Sequence, residues 1–298
     1  MSAAAQISSS PSAWSFPLAA VPGAADVRVL VMSGYGLNCE GETAAGFRMA
    51  GARAEIVHTA ALLEAGAAAL AGVHILAFVG GFSFGDHIAS GRVLANRMRF
   101  RMAAALARFV DDGGHVLGVC NGFQTIAKLG LLPALDRAAG DGLAPQQVSL
   151  VDNDRLGYRD AWVRLQIAQD SPCAFTRGSS GAILEAPARH GEGKIVFADA
   201  PLQRRVIDAG LVPLRYVDAG GEPTEAWPDN PNGSPGGAAA LCDVTGRVFG
   251  VMPHPEAYLY PQNHPDSTQR RARGSVPLAG DGLGILVSGV RSVLGVSG

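Results

Sequence analysis

Apolar and polar positions first fall into a regular pattern at VRVLVMSG (27–34), a short β-branched run closed by glycine, which reads as a buried strand. The pattern then repeats. A helical stretch from about Glu42 to Ala50 precedes the strand ARAEIVH, and an Ala-rich helix around Leu62 to Leu70 precedes the strand VHILAFVGG (73–81). A long helix, Val93 to Val110, leads through Gly113 and Gly114 into the strand HVLGV (115–119). Continuous apolar strands alternating with helices predict an α/β fold whose sheet is mostly parallel and helix-covered. Sites in such sheets lie beyond the carboxyl ends of the strands, which points to SGYG (33–36), GGFSFGD (80–86) and VCNGF (119–123).

From about Leu143 the texture changes. AWVRLQIA (161–168) and GAILEAPARH (181–190) alternate as antiparallel strands do. PLRYVD (213–218), GAAALCDV (237–244) and GRVFGVM (246–252) have the spacing of hairpins, with turns at AGGEP (219–223) and DVTG (243–246). These predict additional antiparallel strands beside the main sheet. GDGLGILVSGVRSVLG closes the chain as a terminal helix behind a glycine-rich start. With neither repeat nor linker after residue 26, a single domain over 26–298 is expected, preceded by a disordered tail at 1–25.

Composition narrows the classes of function. The chain has 298 residues, 48% apolar and 17% charged, which suits a packed core. Lys and Arg total 24 against 26 Asp and Glu, a net charge of −2, so no basic surface for nucleic acid or anionic membrane is expected. Residues 1–25 carry no charge and no sustained apolar core, unlike a secretory signal, and the first arginine is Arg28, unlike a transit peptide. No run of about 18–20 apolar residues exists to span a bilayer. Cys39, Cys120, Cys173 and Cys242 are scattered without a CxxC pair, which disfavours a disulfide framework or zinc ribbon and points to the cytoplasm.

Candidate chemistry centres on Gly118-Val119-Cys120-Asn121-Gly122, where a strand turns into a helix. Glycines two positions either side of a nucleophile let the turn be sharp, and here cysteine stands where hydrolases often place serine. The helix N-terminus puts partial positive charge beside the sulfur, and the Asn121 N–H is placed to donate to an oxyanion. Gly80-Gly81 ends the neighbouring strand, where backbone N–H groups can form the other half of that hole. Against this, a free cysteine is more often a small buried hydrophobe. Gly34-Tyr35-Gly36 begins like a dinucleotide loop, but Cys39 occupies the third glycine position.

A nucleophilic cysteine needs a base and an acid that orients it. Met252-Pro253-His254-Pro255-Glu256 follows a strand, and its prolines stiffen the backbone around His254. Glu256 can then reach the far ring nitrogen. His190, in Arg189-His190-Gly191-Glu192-Gly193, sits in what reads as a binding loop. Metal ligation by His254, Glu256 and His264 has no spacing that demands it, so no metal is expected.

With these motifs in order, the chain resembles the class I, or triad, glutamine amidotransferases. Among them it is similar to the glutaminase subunits of phosphoribosylformylglycinamidine synthase. GYGLNCEGET, GGFSFGDHIASG, VLGVCNGFQ, ARHGEGK, NPNGSPGG and GVMPHPE carry the resemblance over about residues 27–256, and the remainder resembles the C-terminal extension of longer members. The resemblance implies a flavodoxin-like sheet, with Cys120 as nucleophile, His254 as base then acid, and Glu256 as orienting carboxylate. It further implies an oxyanion hole from the Gly81 and Asn121 amides, with Gln124 near bound glutamine; His190, a second candidate base, is expected in a substrate-binding loop by its flanking glycines. Where many relatives carry Arg after the glutamate, this chain has Ala257. Ammonia released from glutamine would pass to a synthetase partner that converts formylglycinamide ribonucleotide to the amidine. The resemblance implies a small accessory subunit as well. The chain has no GxxxxGK[ST] loop, so ATP and magnesium are expected on that partner and no cofactor on this chain. HGEG and PNGS are expected on the partner-facing side. The alternatives are an amidotransferase serving a different synthetase, a related cysteine hydrolase or deglycase, and a docking subunit without catalysis.

Overall fold

The computed structural model describes residues 21–296. In chain order the elements begin β1 (Arg28–Ser33), α1 (Glu40–Met49), β2 (Arg53–His58), α2 (Thr59–Ala65), β3 (Ile75–Phe78), α3 (Arg92–Asp111), β4 (His115–Val119) and α4 (Asn121–Lys128). There follow β5 (Val148–Asp152), β6 (Arg159–Ile167), β7 (Ile183–His190), β8 (Glu192–Phe197), α5 (Ala200–Asp208), β9 (Leu214–Tyr216), β10 (Ala240–Cys242), β11 (Val248–Val251), α6 (Ser267–Ala272) and α7 (Gly282–Val293).

The main sheet has six strands in the order β10-β11-β4-β3-β1-β2, parallel except for the β10–β11 hairpin. Strands β1, β3, β4 and β11 are apolar and buried along almost their whole length, as the centre of a doubly covered sheet requires. Edge strand β2 is instead largely exposed, burying only Ala54, and carries Arg53 and Glu55 outward, charges that discourage further strand pairing. Helices α1 and α7 pack against each other, as do α3 and α4. The order β2-β1-β3-β4-β11 is that of flavodoxin-like sheets, where the crevice above the switch point takes ligand.

A second layer of antiparallel strands lies beside this sheet: β7-β6-β9, and the pair β5-β8. Strands β6 and β7 run in register from Arg159↔His190 to Gln166↔Ile183, which carries Arg189 and His190 to the end of their ladder.

Several expectations are corrected. The segment 21–25, assigned to the tail, folds: Val21 and Ala24 are buried, and a short turn of helix runs Ala24–Asp26. Residues 1–20 lie outside the described residues. β9 and β10 do not form a hairpin, because β9 pairs with β6 while β10 joins the main sheet through β11; an isolated bridge, Arg215↔Ala238, links the two segments. β5, β8 and α5 had no clear periodicity and were not foreseen. In the C-terminal stretch, Leu283, Ile285, Leu286 and Val290 of α7 are buried in the common core. PNGS faces inward: Asn232 and Ser234 are fully buried, Asn232 Nδ2 donates to Tyr216 Oη at 3.1 Å, and Ser234 Oγ accepts from Ile195 N–H at 3.0 Å. Its polar side chains satisfy backbone and side-chain groups that the layer junction would otherwise strand.

Candidate active site

Cys120 sits between β4 and α4 at φ 50°, ψ −107°, a region that side chains rarely adopt. The turn is held by its own backbone: Cys120 N–H donates to Val251 O at 2.8 Å, and Cys120 O accepts from Gln124 N–H at 3.0 Å. Close packing requires glycine two residues on, where a Cβ at Gly122 would lie 2.0 Å from Phe78 O. The sulfur therefore rises at the carboxyl end of the sheet, with its nearest hydrogen-bond acceptor, Arg189 O, at 3.6 Å. Asn121 is the first residue of α4, so its N–H has no partner in the preceding turn.

The loop after β3 meets that of β1. Phe82 N–H donates to Gly36 O at 2.8 Å and Asn38 N–H to Gly80 O at 3.0 Å. Gly81 stands at φ 119° between them, and a Cβ there would lie 2.5 Å from Gly36 O. Asn121 ties this pair of loops to α4: its Oδ1 accepts from Ser83 N–H at 3.2 Å, and its Nδ2 reaches Asp86 and Gln124 Oε1. Gln124 Nε2 in turn donates to Glu192 O at 2.6 Å.

His254 arrives from the end of β11, its N–H bonded to Pro187 O of β7 at 2.8 Å. Its Nδ1 and Glu256 Oε1 are 2.6 Å apart in a setting where both side chains are almost wholly buried. Burial disfavours the imidazolium, but the Glu256 carboxylate, with Cys120 and Cys39 beside the ring, outweighs that and holds His254 well above its ordinary value. Nε2 makes no hydrogen bond among the described residues. His190 behaves oppositely: burial and the charge of His254 push it down to about 3, so it is neutral, with Nδ1 3.1 Å from Asn153 Oδ1.

These groups line one cavity of about 460 Å³, which holds Gly81, Cys120, Gln124, His190 and His254 together. That volume suits a small polar metabolite. Glu256 lies behind His254 rather than in the cavity wall. His264, the third residue weighed for a metal, is elsewhere: it pairs with Glu185 at 3.4 Å and stacks edge-on with Trp162. Sequence reasoning missed Cys39, Asp86 and Tyr158, all of which border the site. Cys39 lay inside a motif already quoted, three residues past a paired-glycine turn, but carried no spacing relation to Cys120.

Comparison with known proteins accords with this geometry. Residues 26–281 match the model of the CobB/CobQ-like glutamine amidotransferase domain. A phosphoribosylformylglycinamidine synthase subunit PurQ from Methanococcus maripaludis is 39% identical over 240 residues, covering 80% of this chain and 85% of the relative. The corresponding subunit from Dehalococcoides mccartyi is 36% identical over 265 residues, covering 89% and 97%. A chain in the structure of PurLQS from Thermotoga maritima shares the fold at a TM-score of 0.64 with 24% identity, over 90% of this chain and 99% of that one.

Proposed function

The chain belongs to the class I glutamine amidotransferases of the PurQ family, and on that footing we propose that it is a glutaminase acting through a cysteine thioester. The observation that carries the reading is the buried His254–Glu256 pair set beside the sulfur that the β4–α4 turn presents. In this account the Cys120 sulfur attacks the side-chain amide carbon of glutamine, its proton having passed to His254. The N–H groups of Gly81 and Asn121 receive the developing oxyanion. His254 returns the proton to the departing ammonia, and water then hydrolyses the glutamyl thioester with His254 again as base. Glu256 keeps Nδ1 occupied, so that Nε2 is the nitrogen that moves protons. Gln124 and His190 flank the glutamine side chain as neutral polar groups.

The ammonia serves a synthetase partner that converts formylglycinamide ribonucleotide to formylglycinamidine ribonucleotide in purine biosynthesis, with a small accessory subunit in the assembly. The names of the relatives support this reading. ATP and magnesium belong to the synthetase, and this chain works without a cofactor of its own. Its setting is the reducing cytoplasm, in keeping with four free cysteines; among the described residues no helix is long and apolar enough to cross a membrane.

The test is Cys120→Ala in the complex with the synthetase. Glutamine-dependent amidine formation should fall to background while added ammonium still supports it. Glutamine-dependent synthesis at the original rate would overturn the nucleophile.

A further inference from the structure

The proposed mechanism uses one thiol, yet two flank the imidazole. Cys39 lines the cavity from the loop between β1 and α1. Its Sγ, a ring nitrogen of His254 and a carboxylate oxygen of Glu256 all lie within 4.8 Å of one another. Cys120 approaches the same ring past Gly80, where a built Cβ would lie 2.9 Å from His254 Cε1 and 3.6 Å from Cys120 Cβ. Nε2 of His254 has no hydrogen-bond partner among the described residues, although its side chain is only 5% exposed. A buried ring nitrogen without a partner is a group left waiting for one.

Glu256 on Nδ1 fixes the ring and leaves Nε2 as donor, the outer-sphere arrangement that prepares a histidine for a metal. Two sulfurs and one imidazole nitrogen, with a fourth position open, form a donor set suited to a borderline-soft cation. We propose that Cys39, Cys120 and His254 together bind a divalent cation of the zinc class, and that this occupancy reversibly switches the glutaminase off. Each thiol, and the protonated Nε2 of His254, releases its proton to solvent as its bond to the metal forms, and nothing is oxidised or reduced. The ligand atoms of such a tetrahedral site stand roughly 3.5 Å apart, closer than the 4.8 Å that gathers Cys39, His254 and Glu256, so binding requires the cysteine side chains, Cys120 above all, to turn inward. With its sulfur lone pair engaged, Cys120 cannot attack an amide. The loss of activity rests on the proposed nucleophile; the binding does not.

The test uses the full chain with cobalt(II) as a spectroscopic stand-in, then zinc in competition. Cobalt should give a thiolate charge-transfer absorption saturating at one equivalent, bleached by zinc, and Cys39→Ser should need at least tenfold more metal. Zinc should inhibit glutamine hydrolysis, with recovery on chelation, and Cys39→Ser should need at least tenfold more zinc relative to its own uninhibited rate. In the unmutated chain, zinc should slow alkylation of Cys39 and Cys120 together, as mapped by mass spectrometry. No charge-transfer absorption, or Cys39 alkylating equally fast with and without zinc, would overturn the site. A Cys120→Ala chain that kept its glutaminase rate would remove the nucleophile instead, leaving the cobalt titration to judge the site alone.

Discussion

The side-chain amide of Asn121 donates to both carboxylate oxygens of Asp86, at 3.1 and 3.2 Å, so the residue after the nucleophile is fastened to the loop after β3. Asp86 also accepts from Gly91 N–H at 3.1 Å, which extends the tie to the start of α3. The proposed oxyanion hole draws its two N–H groups from different elements, and this carboxylate ties those elements together.

Removing the tie should cost both stability and rate. Asp86→Ala leaves Asn121 Nδ2 and Gly91 N–H without that acceptor, a loss of about 1–3 kcal/mol in urea unfolding. A displacement of about an ångström between the two oxyanion donors should lower kcat by up to roughly a hundredfold. Asp86→Asn, which keeps an acceptor oxygen, should recover much of the stability. Equal kcat for Asp86→Ala and the unmutated chain would show that the loops keep their spacing without it.

Gly81→Ala tests the other half of the hole. Its Cβ would meet the backbone at Gly36 O, 2.5 Å away, and at Asn38 N, 2.8 Å away, so the loop must shift and carry its N–H with it. Loss of one such donor lowers kcat by about 100- to 1,000-fold. Steady-state glutamine hydrolysis, with circular dichroism to show that the fold survives, checks this.

Glu256→Gln should change the pH dependence as well as the rate. In the folded chain burial works against the charged His254, but Glu256, with Cys120 and Cys39 beside the ring, outweighs it and raises the group well above its ordinary value of 6.5. The native state therefore holds an extra proton above 6.5; the pairing stabilises fully below that pH and is lost as pH rises through the folded value. Without the carboxylate the imidazolium gives up its proton at lower pH. The high-pH limb of kcat/KM should move toward neutrality, with a fall in rate of about 100- to 10,000-fold. An unmoved limb would mean that Glu256 does not govern the charge on His254.

Asp281 predicts a pH effect away from the site. Burial lifts its carboxyl to about 6, while its Oδ2 accepts from Glu185 N–H at 2.8 Å. The native state binds more protons than the unfolded one between the ordinary value of 3.8 and about 6, so stability falls as pH rises through that window. Asp281→Asn keeps the acceptor and removes the charge. It should be more stable by roughly 1–3 kcal/mol at pH 7.5, the advantage vanishing near pH 4, as read by urea unfolding across that range.

Much of this was legible in the sequence because local signals carried it. The apolar runs of β1, β3, β4 and β11 are buried on both faces, and such strands announce themselves without alternation. The glycines around Cys120 and the prolines around His254 marked their turns for steric reasons that need no partner. What escaped was set by tertiary pairing. β9 went to β6 rather than to β10 because the chain between them makes a long detour, and β5 and β8 find each other across more than forty residues. PNGS was expected to face a partner, yet its Asn232 and Ser234 side chains are buried and find hydrogen-bond partners inside. Cys39 and Asp86 were invisible for the same reason: each matters through a residue far along the chain.

The most direct test of the whole account is to treat the unmutated chain, with its synthetase bound, with a glutamine-mimicking electrophile and to map the adduct by mass spectrometry. The account predicts one adduct per chain, on Cys120, whose formation tracks the loss of glutamine hydrolysis and is slowed by glutamine. Complete inactivation with Cys120 unmodified, or an adduct elsewhere that alone follows the loss of activity, would contradict it.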